Sequence, residues 1–164
     1  MEIAGMATRE EVVKEALSWL ETPYHLGAMV KGAGVDCATF LYCVYKNCGI
    51  IRADDPFTER YSHDWFCNTE SQRYALRAFR HAYKVAEGVC NRSLKPEPGN
   101  FLLAKSVGSR LFNHGGIVIA WPRVIHAVSP EVEITCVMDH RLWCWKEVAV
   151  LDPWAKAQSA SSHD

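Results

Sequence analysis

One cysteine and two histidines stand where a nucleophile and its base could be built. Cys37 stands behind a fourteen-residue segment, PYHLGAMVKGAGVD (23–36), that carries three glycines, and opens an apolar repeat. Phe40, Leu41, Val44, Tyr45 and Cys48 recur at three and four, which predicts a helix from Cys37 to Cys48 with Asp36 as its N-cap and Gly49 placed to end it. A thiol in a first helical turn feels the positive end of the helix dipole. That favours the thiolate, with a pKa of about 3.5 to 7.5 when a histidine stands close. None of the other six cysteines is so placed. A thiolate nucleophile needs a base, and the base needs a group that orients its far nitrogen. His114, opening one predicted strand, and His126, near the end of the next, are the candidates.

The two histidines pass a parity test. Positions 114, 116 and 118 share one strand face, and 124, 126 and 128 share one face of its hairpin partner. A simple hairpin turning on Trp121, Pro122 and Arg123 sets His126 opposite Val118 and leaves His114 about four residues away along the strand. At ~3.3 Å per residue that is too far for a hydrogen bond, so contact requires strong coiling, a bulge or another register. Cys136, His140 and Cys144 have zinc-like spacing, but they fall in strand and turn with no fourth ligand, so no metal site is assigned and no cofactor is implied. His25, His63, His81, His140 and His163 read as structural or surface residues.

Secondary-structure signals divide the chain into a helical first half and a β-rich second half. Thr8 and Glu11 form a capping box ahead of Val12, Ala16, Leu17 and Leu20, which predicts a first helix from about Arg9 to Glu21, stopped by Pro23. Residues 50–70 have no sustained period and read as a long connection. A third helix is predicted from Gln72 to Glu87 on the stripe Tyr74, Ala78, Phe79, Ala82 and Ala86. After the KPEPG segment (95–99) the chain turns β-like, with strands expected at Phe101 to Lys105, Gly116 to Trp121, Arg123 to Val128, Glu131 to Val137 and Trp145 to Leu151. Helices first and an antiparallel meander afterwards make an α+β domain, helices packed on one side of a small curled sheet of about five strands. Residues 1–154 form a single domain on this reading, and 155–164 (AKAQSASSHD) a disordered tail.

Composition bounds the function. The 164 residues fit one domain with a sizeable core; 49% are hydrophobic and 23% charged, the balance of a globular protein. A formal net charge of -1 supplies no general attraction to nucleic acid or anionic lipid. The longest uncharged run, Leu111 to Pro122, contains Asn113 and His114 and is too short to span a bilayer. The N-terminus MEIAGMATREEVV shows no Sec-type signal, which predicts synthesis in the cytoplasm. Seven cysteines, an odd number with no C-x-x-C pair, indicate neither a disulfide framework nor a zinc ribbon; most are expected to be reduced, buried, small hydrophobes.

In order and spacing, T-P-Y-H-L-G, then G-V-D-C-A-T-F-L-Y-C-V-Y, then P-G-N-F, then H-G-G-I-V-I-A-W-P-R-V-I-H-A resemble the motifs of the NlpC/p60 cysteine peptidases. The likeness covers roughly residues 8 to 130, and the long K-G-x-G-V-D-C approach looks most like the phage and gene-transfer-agent branch. The resemblance implies a papain-like fold with Cys37 as nucleophile, His114 as base and His126 as the orienting third residue. It also implies that Tyr24 and Asp36 shape a pocket for the free amino end of a short peptide. The family keeps the same spacing between base and third residue, which favours a coiled strand over the idealised hairpin. The implied activity is hydrolysis of an amide bond in peptidoglycan stem peptides, usually between D-glutamate and diaminopimelate, at the cell wall, in the periplasm or on a virion. Phage tail proteins or a secretion apparatus are the implied means of delivery. The rivals are an amidase or deamidase on the same scaffold and a non-enzymatic tail-tip assembly protein. Ala38 and Thr39 depart from the family's serine and glycine, Asn100 from its aspartate, and Gly115 stands where valine is common.

Overall fold

The capping box at Thr8 starts the first helix as its spacing requires: Thr8 Oγ1 accepts the Glu11 N–H, and Glu11 Oε2 accepts the Thr8 N–H at 2.7 Å. The computed structural model describes residues 5–58, 60–62, 80–105, 109–139 and 145–157. Helix α1 (Arg9–Leu17) is shorter than expected, because the chain leaves helical geometry in turns over 18–21 and Glu21 adopts a positive φ of 65°. A hairpin of β1 (Met29–Val30) and β2 (Gly34–Val35) follows, then α2 (Cys37–Asn47), with Asp36 as its N-cap.

The remaining strands form one antiparallel sheet. They are β3 (Tyr83–Val89), β4 (Phe101–Lys105), β5 (His114–Ala120), β6 (Arg123–Ala127), β7 (Val132–Cys136) and β8 (Glu147–Asp152), in the spatial order β3-β8-β4-β5-β6-β7. Five of the six coincide with the predicted strands to within a few residues. The sixth, β3, corrects the third helix: residues 83–87 pair with β8, so the edge of the sheet overrides the alanine stripe. Residues 72–79 of that expected helix lie outside the described residues. A 3-10 turn, Trp154–Ala157, takes in the first three residues of the stretch read as a disordered tail.

Alternation along the strands builds two cores. Phe101, Leu103, Ile117, Ile125, Ala149 and Leu151 face Val12, Ala16, Phe40 and Val44 of the helices, as the α+β reading requires. Tyr45 of α2 packs its ring 6.1 Å from that of Phe101 and donates its hydroxyl to the Gly99 carbonyl at 2.8 Å. The opposite face is closed by Leu102, Ala104, Val118, Val124, Val148 and Val150 under Trp145, which is 1% exposed. Among the described residues no helix is long and apolar enough to cross a membrane.

Candidate active site

The histidines meet because the hairpin is not the simple one. Pairing runs Ile117 to Ile125 and Val118 to Val124, then shifts by a bulge to Ala120 and Arg123. Continuing that register one step sets His126 across from Gly116 rather than Val118, two residues from His114 instead of four. A Cβ at Gly116 would lie 2.5 Å from Val124 Cγ1, 2.8 Å from the Ile125 oxygen and 3.2 Å from His126 Cβ. Only glycine leaves that space, so the imidazoles close to 2.7 Å between His114 Nε2 and His126 Nδ1. Of the three ways to contact, coiling, bulge or register, the molecule uses a bulge that changes the register.

Trp145 fixes the pair from beneath. Its ring centroid lies 5.3 Å from each imidazole in edge-on geometry, with the two imidazole centroids 5.0 Å apart. Burial pushes the His114 pKa down to about 4. His126, 2% exposed, is likewise lowered, first by burial and then by His114 beside it. Both rings are therefore neutral near pH 7. On β7, Glu133 pairs directly with His126, and its Oε1 lies 3.6 Å from His126 Nε2.

Cys37 opens α2 within a second cluster. Asp36 is fully buried; its Oδ1 accepts the amides of Ala38 and Thr39, each at 2.9 Å, and the Thr39 hydroxyl at 3.0 Å. Its Oδ2 accepts the Gly27 amide at 2.6 Å and the Tyr61 hydroxyl. Thr39, in place of the family's glycine, returns the bond by accepting the Asp36 N–H at 2.9 Å. Asp36 thus ties the glycine-rich loop, α2 and Tyr61 together. Burial, followed by the charges of Cys37 and Asp36, holds the Tyr24 phenol well above its ordinary range. Tyr61 is raised too, by burial, by Asp36 and by Cys37. Sequence reasoning did not single out Tyr61, which lies in the aperiodic stretch 50–70, nor Trp145, read only as a strand start. The one signal for Glu133 is cross-strand register with His126.

The structure joins His114 to His126, and gathers Asp36, Cys37 and Tyr24 at the start of α2. Tyr24 N–H donates to the Pro130 carbonyl at 2.8 Å, and the adjoining Pro23 bridges to Glu131. These bonds hold the Cys37 end of α2 at the β6–β7 turn, the end of the sheet where β5 begins with His114. The histidines occupy the Trp145 face, whereas α2 covers the Ile117 and Ile125 face. The start of α2 and the His114 end of β5 thus lie toward the same end of the sheet.

Asn100, in place of an aspartate, makes the turn contact that a carboxylate would make, accepting the Glu97 N–H at 2.8 Å. Cys37 is buried and Cys136 exposed, while Cys43, Cys48 and Cys90 are half-buried rather than fully buried as expected. Cys136 closes β7, and its would-be zinc partners His140 and Cys144 lie outside the described residues. Among the described residues no group of three or more His, Cys, Asp or Glu could hold a metal ion.

No family model and no curated protein matches the chain. Solved structures do. The NlpC/p60 domain of the peptidoglycan hydrolase SagA aligns with a TM-score of 0.52 at 18% identity, covering 87% of this chain and 98% of that one. NlpC1 from Trichomonas vaginalis gives 0.61 at 16% identity, over 92% of this chain and 45% of that one. An NlpC/p60 family protein from Bacillus cereus gives 0.55 at 17% identity, over 89% of this chain and 40% of that one. The chain spans less than half the length of these last two. At such identities the likeness is one of architecture, and this chain carries the α+β fold of NlpC/p60 domains.

Proposed function

We propose that this chain is a cysteine peptidase that hydrolyses peptidoglycan stem peptides at the D-glutamyl-diaminopimelate link, with Cys37 as nucleophile, His114 as base and His126 as its orienting partner. The observation that carries the reading is the 2.7 Å bond between His114 Nε2 and His126 Nδ1, twelve residues apart on paired strands. With Nε2 engaged there, Nδ1 is the nitrogen of His114 left to work on the thiol. Burial keeps His114 neutral above about pH 4, the state a base requires.

In the first step His114 Nδ1 takes the Cys37 proton and the sulfur adds to the scissile carbonyl carbon. The oxyanion is met by the Cys37 backbone N–H at the helix N-terminus. Collapse breaks the C–N bond, and the imidazolium returns its proton to the departing amine. A water, deprotonated by His114, then hydrolyses the thioester and releases the carboxylic acid. Catalysis requires Cys37 Sγ to come within reach of His114 Nδ1 at the end of the sheet. Tyr24 and Asp36 serve substrate binding, Asp36 through its charge and through Tyr61, since its carboxylate oxygens are already taken up by Gly27, Ala38, Thr39 and Tyr61. The site of action is the cell wall, reached on a virion or through a secretion apparatus.

Incubation with purified sacculi and with L-Ala-γ-D-Glu-diaminopimelate, followed by mass analysis, tests the reading. Cleavage on the carboxyl side of D-glutamate, lost in Cys37→Ala and His114→Ala and reduced but measurable in His126→Ala, is the expected result. Cleavage between lactate and L-alanine would instead identify the amidase, and no cleavage by the intact chain would leave the assembly role.

A further inference from the structure

His126 Nε2 is fully buried and has no hydrogen-bond partner among the described residues, yet the Glu133 carboxylate stands 3.6 Å from it. A distance of 3.6 Å is too long for a hydrogen bond, but it is a close approach of charge to a ring nitrogen in a dry setting. The consequence follows from counting protons on two neutral rings. Between His114 Nε2 and His126 Nδ1 lies a single hydrogen. If His114 owns it, His114 Nδ1 is a bare lone pair able to take a thiol proton, and His126 carries its own proton on Nε2, facing Glu133. If His126 owns it, His126 Nε2 is a buried lone pair aimed at a carboxylate, and His114 holds its proton on Nδ1, where it cannot act as a base. The first arrangement sets an N–H dipole toward the anion; the second sets lone pair against anion.

We propose that Glu133 is a positioning residue that selects the base-competent tautomer of the His114–His126 pair; the inference rests on the peptidase reading above for its catalytic consequence, though not for the tautomer itself. Among the described residues, the other neighbours of His126 offer no acceptor to its Nε2. Trp145 offers a ring edge, Gly116 offers no side chain, and Val124 is apolar. Backbone register fixes the geometry, because Glu133 is the direct cross-strand partner of His126. Glu133 itself is half-exposed, with 47% of its side chain accessible, so solvent screens the interaction and the effect is modest.

Long-range 15N–1H correlation of the histidine rings reads the tautomers without any substrate. In the wild-type chain at pH 7, His126 should carry its proton on Nε2 and His114 on Nε2. In Glu133→Leu, both rings should shift measurably toward the Nδ1–H form, and kcat on the stem peptide should fall about 2- to 5-fold with KM unchanged. Glu133→Gln, whose carbonyl oxygen also accepts from an N–H, should restore most of both readouts. A wild-type His126 protonated on Nδ1, or a Glu133→Leu chain with unaltered tautomers, would overturn the proposal. If Cys37→Ala and His114→Ala abolish cleavage while Glu133→Leu changes nothing, the peptidase reading stands and only this inference fails. If the intact chain cleaves no stem peptide, the peptidase reading fails, and the ring spectra still decide the tautomer.

Discussion

At the scale of single residues, what sets Cys37 apart is position. Burial pushes the thiols of Cys43, Cys48 and Cys90 up to about 11, so at pH ~6 they are almost wholly protonated. Cys37, at a helix N-terminus and activated by His114 on the proposed mechanism, should be carbamidomethylated by iodoacetamide well ahead of them, as tandem mass mapping would read. Labelling of the exposed Cys136 first, with Cys37 inert, would remove Cys37 as nucleophile. Asp36 supports a second prediction. With its oxygens already bonded to Gly27, Ala38, Thr39 and Tyr61, the Asp36 carboxylate attracts a substrate ammonium through its charge alone, roughly 0.5 to 1 kcal/mol, about two- to five-fold in relative rate. L-Ala-γ-D-Glu-diaminopimelate should thus be cut faster than its N-acetylated form. Asp36→Asn should narrow that ratio, and it should also destabilise the chain by loosening the cap on α2. Equal rates on the two peptides would reduce Asp36 to a cap alone.

At the scale of elements, the register of β5 against β6 governs the site. The bulge between Val118 and Ala120 and the missing side chain at Gly116 act together: one sets His126 across from position 116, the other lets the strands close there. Gly116→Ala puts a methyl group 2.5 Å from Val124 Cγ1 and 2.8 Å from the Ile125 carbonyl, so strand and side chain must shift. The expected cost is about 1 to 3 kcal/mol of unfolding free energy, read as a lower urea midpoint, together with a drop in turnover larger than that loss of folded population explains. An unchanged midpoint would show that β5 and β6 do not approach as closely as this. The helix half is held differently. The glycine-rich loop is pinned at Gly27 by Asp36 and at Tyr24 by Pro130, so the start of α2 is tied both to its own loop and to the β6–β7 turn.

In the molecule as a whole, two neutral imidazoles packed edge-on against a buried tryptophan make stability depend on pH. Folding lowers the His114 pKa from its ordinary 6.5 to about 4, and lowers that of His126 as well. In that window the unfolded chain binds more protons than the folded one, so stability rises with pH. The penalty is absent above the unfolded value near 6.5 and grows as the pH falls, reaching about 3 kcal/mol for His114 alone near pH ~4. Urea midpoints taken at pH ~7 and ~4.5 should separate accordingly, and a His114→Asn, His126→Asn chain should flatten the difference. An equally steep loss in that double variant would place the acid sensitivity elsewhere.

The local parts of this protein were legible in its sequence. Caps and periodicity located α1 and α2, put Cys37 in a first helical turn behind Asp36, and located five of the six strands of the main sheet, because each of these signals is carried by neighbours within a few positions. Sequence pattern failed at β3, where an alanine stripe suggested helix, since an edge strand owes its existence to pairing with β8, more than fifty residues downstream. It left open how His114 and His126 could meet, because a bulge that shifts register changes no local propensity. Tyr61 beneath the loop, Trp145 under the imidazoles and Glu133 beside His126 were decided only by tertiary structure, since each comes to its partner through long-range contact or cross-strand register. Chemistry-bearing residue types can be read from one dimension; which nitrogen faces which carboxylate is settled only when the strands have paired.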